Sequence, residues 1–160
     1  MWETEIQSFG DYLKIERGLS KHSHEAYLRD IQKLETYLAI SPVAIDQVNE
    51  SHILAFLKDL HSLGIEASTQ SRTLSGIRAF FQFLVFDGTL KADPTVHVKN
   101  PQMGRKLPDT LSFDEITAIL DQADLSSPEG VRNRAMLEFL YGAGLRVSEL
   151  VTLKISDLSF

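Results

Sequence analysis

Cysteine is absent from the 160-residue chain, and no apolar run is long enough to cross a membrane. Without cysteine, neither a disulfide framework nor a thiolate metal site can form. A membrane-spanning helix needs about 20 consecutive apolar residues. The N-terminal segment MWETEIQSFGDYL is acidic and amphipathic, whereas a secretory signal is basic and then apolar. We therefore expect a cytoplasmic protein that does not associate with membranes.

Positive charge is the second shortage, because 16 Lys and Arg residues face 22 Asp and Glu residues, for a formal net charge of −6. This balance argues mildly against nucleic acid as a partner, although DNA binding depends on where the cations cluster. The composition, 43% hydrophobic and 24% charged, is that of an ordinary globular protein. A chain of this length forms one good-sized domain, or a small domain and part of another.

Apolar residues recur at three- and four-residue spacing through the first 90 residues or so, which predicts four helices joined by short loops. Gly18 supplies a stop for the first helix, and Ser20 and Asn49 are suitable N-caps for the second and third. The four predicted helices span residues 2–16, 20–39, 49–63 and 68–86. Four such helices form a compact bundle.

The pattern changes at residues 92–110, which contain three prolines and no helical period. This composition predicts an extended linker between domains at 1–91 and 111–160. In the second domain, a capping box at Ser112 predicts a helix to about Ala123, and Ser127-Pro128 predicts another to Tyr141. A short helix from Arg146 follows. Residues 153–160, LKISDLSF, alternate as a strand does.

Charge balance reverses in the fourth predicted helix, because residues 67–86 contain two arginines and no acid. One side of this helix is an apolar stripe formed by Leu74, Ile77, Phe81 and Leu84. The other side carries Ser71, Arg72, Ser75, Arg78 and Gln82, and Thr69 lies near the start. Cations and hydroxyl donors without carboxylates suit a phosphate backbone. The pattern alone is more often that of a core helix with a solvated polar face.

Histidines do not make a convincing metal site. His22 and His24 lie near a helix start, where their spacing puts the two rings on different faces, and His52 and His61 follow further on. No acidic or thiolate ligand stands at the right spacing. We expect no bound metal.

In the segment YGAGLRVSEL, residues 141–150, Arg146 follows the Gly142-Ala143-Gly144 turn and begins a helix. Free amides there carry partial positive charge, so a cation is unfavourable to the helix by itself. One explanation is pairing with Glu149 or simple solvation. The other is anion recognition, in which the guanidinium and helix amides hold phosphate oxygens more strongly as charge builds up in a pentacoordinate transition state.

Taken together, these segments resemble the tyrosine recombinases of the phage-integrase family. YGAGLRVSELVTLKISDL is similar to the family's first catalytic box, in which G-L-R-x-x-E-L precedes a short strand. The likeness extends to the second helix, the fourth helix and the linker with the helix after it. These matches are LSKHSHEAYLRDIQKLETYL, STQSRTLSGIRAFFQFLVFDGTLKADPT and GRKLPDTLSFDEITAIL. Within the family, the sequence resembles the Xer-type recombinases, which resolve chromosome dimers.

The resemblance implies a mainly α fold, in which a four-helix SAM-like core-binding bundle precedes the start of a mixed α/β catalytic domain. It implies site-specific recombination of double-stranded DNA without a metal or other cofactor. A tyrosine attacks the phosphodiester to give a 3′-phosphotyrosyl link and a free 5′-hydroxyl. Strands are then exchanged in a tetramer of homologous or paralogous recombinase protomers. By position, Arg146 matches the first catalytic arginine and Glu149 the acid that orients it. The expected DNA-binding residues are Thr69, Ser71, Arg72, Ser75, Arg78, Arg105 and Lys106.

The family's later catalytic residues have no match in this chain. They are a lysine on a β-hairpin, an H-x-x-R pair, a further histidine or tryptophan, and the nucleophilic tyrosine. None of Tyr12, Tyr27, Tyr37 or Tyr141 occupies the nucleophile's position, so we expect a chain that binds DNA without cleaving it. Three alternatives stay open: the integrase of a mobile element or phage, a DNA-binding adaptor without catalysis, and a helical module that binds another protein.

Overall fold

A computed structural model describes residues 2–102, 104 and 109–158, and within them the chain is mainly helical. The chain divides into two compact units, Met1–Arg105 and Lys106–Phe160. Seven α-helices lie in the described residues. They are α1 (Glu3–Ile15), α2 (Lys21–Leu38), α3 (Glu50–Ser62), α4 (Ala67–Phe86), α5 (Phe113–Leu120), α6 (Pro128–Gly142) and α7 (Val147–Thr152). No helix in this part of the chain combines the length and apolar character needed to span a membrane.

The first unit contains α1 to α4, and the four helices predicted from periodicity are confirmed. Local chemistry sets their ends. The Ser20 side chain accepts from the Ser23 amide at 3.3 Å at the start of α2. At α3, Asn49 Oδ1 accepts from the Ser51 amide at 3.0 Å. Gly88, which follows α4, has a φ of 81°, a conformation that glycine adopts with little strain. A short 3₁₀ turn at Ile45–Gln47 joins α2 to α3 and was not predicted.

Helix α4 lies at the centre of the first unit and packs against the other three helices. Its predicted apolar stripe is confirmed, since all four residues are at most 1% exposed, and Phe80 widens the stripe. Trp2 is 1% exposed, and its ring stacks on Phe80 with centroids 6.2 Å apart. Phe9 meets the same ring edge-on at 5.3 Å. This aromatic core fixes α1 on α4.

The segment after α4 is packed against the bundle rather than separate from it. Thr95 and Val98 are 1% and 2% exposed. The Arg78 guanidinium donates to the Val98 carbonyl and to Asn100 Oδ1, the latter at 2.7 Å. The beginning of the predicted linker is therefore part of the first unit, because Val98 adds to its core. The functional boundaries at 1–91, 92–110 and 111–160 stay a prediction.

The second unit contains α5 to α7, and its predicted helix starts are confirmed. Ser112 and Glu115 form the expected capping box: the Ser112 amide donates to Glu115 Oε2 at 2.8 Å, and the Glu115 amide donates to Ser112 Oγ at 3.3 Å. Ser127 Oγ accepts from the Gly130 amide at 3.1 Å at the start of α6. Helix α5 ends at Leu120, three residues before the predicted end at Ala123.

The strand predicted over residues 153–160 is wrong for its described part, residues 153–158. Ile155–Asp157 forms a 3₁₀ turn, closed by a hydrogen bond from the Lys154 amide to Asp157 Oδ2 at 3.0 Å. Ile155 is 82% exposed. Backbone donors and acceptors in a strand need a neighbouring strand, and the described residues contain none. The nearby Asp157 carboxylate accepts from the Lys154 amide instead, and the segment forms a turn.

Candidate functional site

Five of the predicted DNA-contacting residues lie on α4, and the structure exposes them unequally. Thr69, Arg72 and Ser75 are exposed, whereas Ser71 and Arg78 are half-buried. Ser75 Oγ donates to the Ser71 carbonyl at 3.0 Å. The exposed edge of α4 thus carries two hydroxyls and one guanidinium.

Arg72 is held by a carboxylate that the sequence does not single out. Its Nη1 and Nη2 donate to the two oxygens of Asp30 on α2, at 2.9 and 3.0 Å. The Asp30 side chain is 2% exposed and that of Arg72 is 51% exposed. Lys33 Nζ lies 3.6 Å from the same carboxylate. One buried anion therefore stands behind two half-exposed cations.

Arg78 does not join Arg72 on this edge. Its guanidinium is occupied by Val98 and Asn100 of the same unit, so the two arginines predicted to share one face have different protein partners. Two further predicted DNA-binding residues, Arg105 and Lys106, lie outside the described residues. The role of all these residues toward DNA stays a prediction.

In the second unit, Arg146 is the N-cap of α7 and follows Gly144, which has a φ of 63°. The Glu149 carboxylate accepts from the Arg146 amide at 2.8 Å and from Arg146 Nη1 at 2.9 Å. The Arg146 side chain is 81% exposed. The pairing foreseen as one explanation is therefore present, and it leaves most of the guanidinium open to solvent. Anion recognition by this arginine stays a prediction.

Histidines near the bundle have structural partners. His24 Nε2 lies 3.1 Å from the Gly10 carbonyl, and His52 Nδ1 accepts from the Asn49 amide at 3.2 Å. Across the residues that the structure covers, no group of three or more His, Asp or Glu side chains could hold a metal ion.

Comparisons with protein families cover both units. The family model described as "Phage integrase, N-terminal SAM-like domain" matches residues 6–88. A second model, "Phage integrase family", matches residues 109–160.

Curated relatives match almost the whole chain. Tyrosine recombinase XerD of Oceanobacillus iheyensis is 41% identical over 160 residues, which cover 99% of this chain and 54% of the relative. Tyrosine recombinase XerD of Listeria monocytogenes is 36% identical over 155 residues, covering 96% of this chain and 52% of the relative. The chain thus spans about half the length of the curated relatives it matches.

Solved structures confirm the fold. A lambda integrase dimer bound to a COC′ core site superposes with a TM-score of 0.76 and 21% identity, over 99% of this chain and 43% of the integrase. The integrase of mycobacterium phage Brujita gives a TM-score of 0.56 and 18% identity, over 90% of this chain and 46% of the integrase. At these identities the likeness establishes architecture alone.

Proposed function

The chain belongs to the phage integrase family, and we propose that it acts in site-specific recombination of double-stranded DNA by tyrosine-recombinase chemistry. The observation that carries this proposal is the 41% identity to a tyrosine recombinase XerD, which runs through both units over 99% of the chain. The same likeness favours Xer-type resolution of chromosome dimers, in the cytoplasm, over integration of a mobile element. The lambda and Brujita integrases that superpose on the chain are 21% and 18% identical to it.

In this proposal the first unit grips the duplex and the second delivers Arg146 to the scissile phosphate. A guanidinium forms charge-assisted hydrogen bonds with phosphoryl oxygens. These bonds strengthen as negative charge accumulates in the pentacoordinate transition state, which is how a fixed cation accelerates the step. Glu149 orients the arginine through its contact with Nη1. The partners are duplex DNA and further recombinase protomers, which assemble as a tetramer at synapsis.

In this proposal none of the four tyrosines is the nucleophile: three have aromatic neighbours in the first unit, and Tyr141, 53% exposed, lies in α6. Tyr12 packs against Phe83 with ring centroids 5.0 Å apart, and Tyr37 lies 5.4 Å from Phe56. Tyr27 meets Phe9 edge-on at 6.4 Å. The 160 residues by themselves are proposed to bind DNA without cleaving it.

The test is a titration of the 160-residue chain with a mixed-sequence duplex at several salt concentrations. Each phosphate contact releases counterions, so log affinity should fall linearly with log salt, by about 0.9 per contact. An absent or salt-independent signal would point to the protein-binding module instead. In a parallel arm, a nicked duplex traps any phosphotyrosyl product. We expect no covalent adduct, and one that survives denaturation would contradict the proposed inactivity.

A further inference from the structure

We infer that Asp30 is a positioning residue for DNA binding, whose buried carboxylate holds Arg72 so that the free edge of the guanidinium faces a phosphate of the duplex. This inference rests on the proposed function and adds to it a residue outside the predicted site. It also explains why a chain with net charge −6 keeps an acid directly behind a DNA-facing cation.

The geometry of the pair is that of an oriented fork. Two parallel hydrogen bonds, at 2.9 and 3.0 Å, join both terminal nitrogens of Arg72 to both oxygens of Asp30. Such bidentate pairs fix the plane of the guanidinium as well as its position. Within the described part of the chain, Nε of Arg72 donates to no protein acceptor. One edge of the group therefore remains available to a ligand.

Asp30 itself has little freedom to move. Thr73 Oγ1 donates to Asp30 Oδ1 at 3.3 Å. The backbone of α4 also approaches closely at Gly76: a Cβ placed there would lie 3.0 Å from both Cβ and Oδ2 of Asp30. Because the backbone blocks one side and three hydrogen bonds hold the other, the carboxylate has a fixed orientation. That rigidity passes to Arg72.

Stability alone does not account for this pair. Burying a carboxylate is costly even when it is paired, and apolar residues of similar volume often hold two helices together as well or better. Helices α2 and α4 pack against each other, and each already contributes a fully buried apolar residue to the core, Leu34 and Ile77, both 0% exposed. A buried acid adds orientation of the arginine, which an apolar side chain could not supply.

The surface around the pair suits a phosphate. The cations Lys33 and Arg72 are 48% and 51% exposed on the outer side of a carboxylate that is 2% exposed. The cluster therefore carries one surplus positive charge, directed outward. A hollow of about 210 Å³ beside it is lined in part by Ser23, Arg72 and Ser75. Hydroxyls next to a guanidinium are common phosphate contacts.

The experiment measures duplex affinity against salt for the 160-residue chain and its variants Arg72→Ala, Asp30→Asn and the double substitution. Arg72→Ala should lower the slope of log affinity against log salt by about one. Asp30→Asn should lower the slope by a similar amount, even though this substitution removes a negative charge. The NH₂ group of the asparagine would face the guanidinium, and two donors cannot form a hydrogen bond, so Arg72 would no longer be held in place. The double variant should match Arg72→Ala. Asp46→Asn, the same charge change at an exposed position, should leave the slope unchanged.

Arg72→Lys is a control for misfolding, because the lysine still gives the buried Asp30 carboxylate a cationic partner. A lysine at this position lacks the planar fork whose free edge Asp30 would orient toward a phosphate, so the slope should also fall for this variant. Stronger binding and a steeper slope for Asp30→Asn would show that the carboxylate only neutralises Arg72, and would overturn the inference. An unchanged slope for Arg72→Ala, with normal wild-type binding, would overturn it while sparing the proposed function. No binding by the wild type would overturn both.

Discussion

Replacing Gly76 with alanine tests how rigidly Asp30 is held, because the new methyl group would point at its carboxylate. In a helix interior, glycine to alanine stabilises by about 1 kcal/mol. At Gly76 the Cβ would lie 3.0 Å from Asp30 Cβ and Oδ2, so the aspartate must shift by a few tenths of an ångström. Overpacking of this kind costs about 1–3 kcal/mol. A disturbed hydrogen bond to a charged group adds about 1.5–3 kcal/mol.

These terms add up to a loss of about 1.5–5 kcal/mol in the free energy of unfolding for Gly76→Ala, and we expect about 1–3 kcal/mol because repacking relieves part of the cost. Gly10 provides a matched control, because it is also a buried glycine inside a helix. A Cβ at Gly10 would meet His24 Nε2 at 3.4 Å and the Leu28 methyl groups at 3.7 Å, which are tolerable contacts. Gly10→Ala should therefore gain up to about 1 kcal/mol.

Urea denaturation followed by tryptophan fluorescence measures both values. The chain has one tryptophan, Trp2, and its burial against Phe80 makes it a reporter of the first unit. The midpoint should fall for Gly76→Ala and stay or rise for Gly10→Ala. Equal stabilisation by the two substitutions would refute the reasoning, because Asp30 would then be free to yield.

Two further outcomes follow from the second unit. The first uses a chimaera in which this chain replaces the aligned half of the Oceanobacillus relative. In this chimaera Arg146→Ala should slow strand cleavage about 10²–10³-fold. The control Arg132→Ala should not, because the Arg132 side chain donates only to the neighbouring Asn133 among the described residues. Cleavage at the unsubstituted rate would end the catalytic assignment. Hydrogen bonds from the Ser112 amide, and to a smaller extent from its hydroxyl, lower the pKa of Glu115. The ionised carboxylate therefore stabilises α5 fully above the unfolded-state pKa of about 4.3. This stabilisation is lost as the pH falls through the lower pKa of the folded state. Glu115→Gln should flatten the acid loss of helix seen by circular dichroism; superimposable profiles would exclude this contribution.

The helices could be predicted from the sequence because their signals are local. Ser20 and Asn49 cap the amides two or three residues ahead, and the capping box at Ser112 closes over the same distance. The strand prediction for residues 153–158 was wrong because a strand, unlike a helix, depends on a partner elsewhere in the fold. Alternating apolar residues predict a strand only when another strand is available to pair with. The described residues contain no strand, and the Lys154 amide bonds to the nearby Asp157 carboxylate instead.

Asp30 escaped prediction because its main partner lies 42 residues away. In the sequence it stands three residues before Lys33 and looks like an ordinary surface pair. One signal was available: Asp30 lies four residues before Leu34 and three after Tyr27, which puts an acid on the inward face of α2. The sequence pattern also could not distinguish the two arginines of α4. They differ in the structure because Arg78 donates to the Val98 carbonyl, which lies 20 residues further along the chain.

Two of the proposed site arginines, Arg72 and Arg146, are each held by a carboxylate, although they stand in different units. Asp30 grips Arg72 through both oxygens, whereas Glu149 divides its oxygens between the amide and guanidinium of Arg146. In each pair the cation is more exposed than its acid, 51% against 2% and 81% against 47%. The net charge counts both acids against DNA binding, yet each is less exposed than the cation that it contacts. The number of carboxylates in a chain therefore says little about its surface potential, which depends on which partner of each pair faces the solvent.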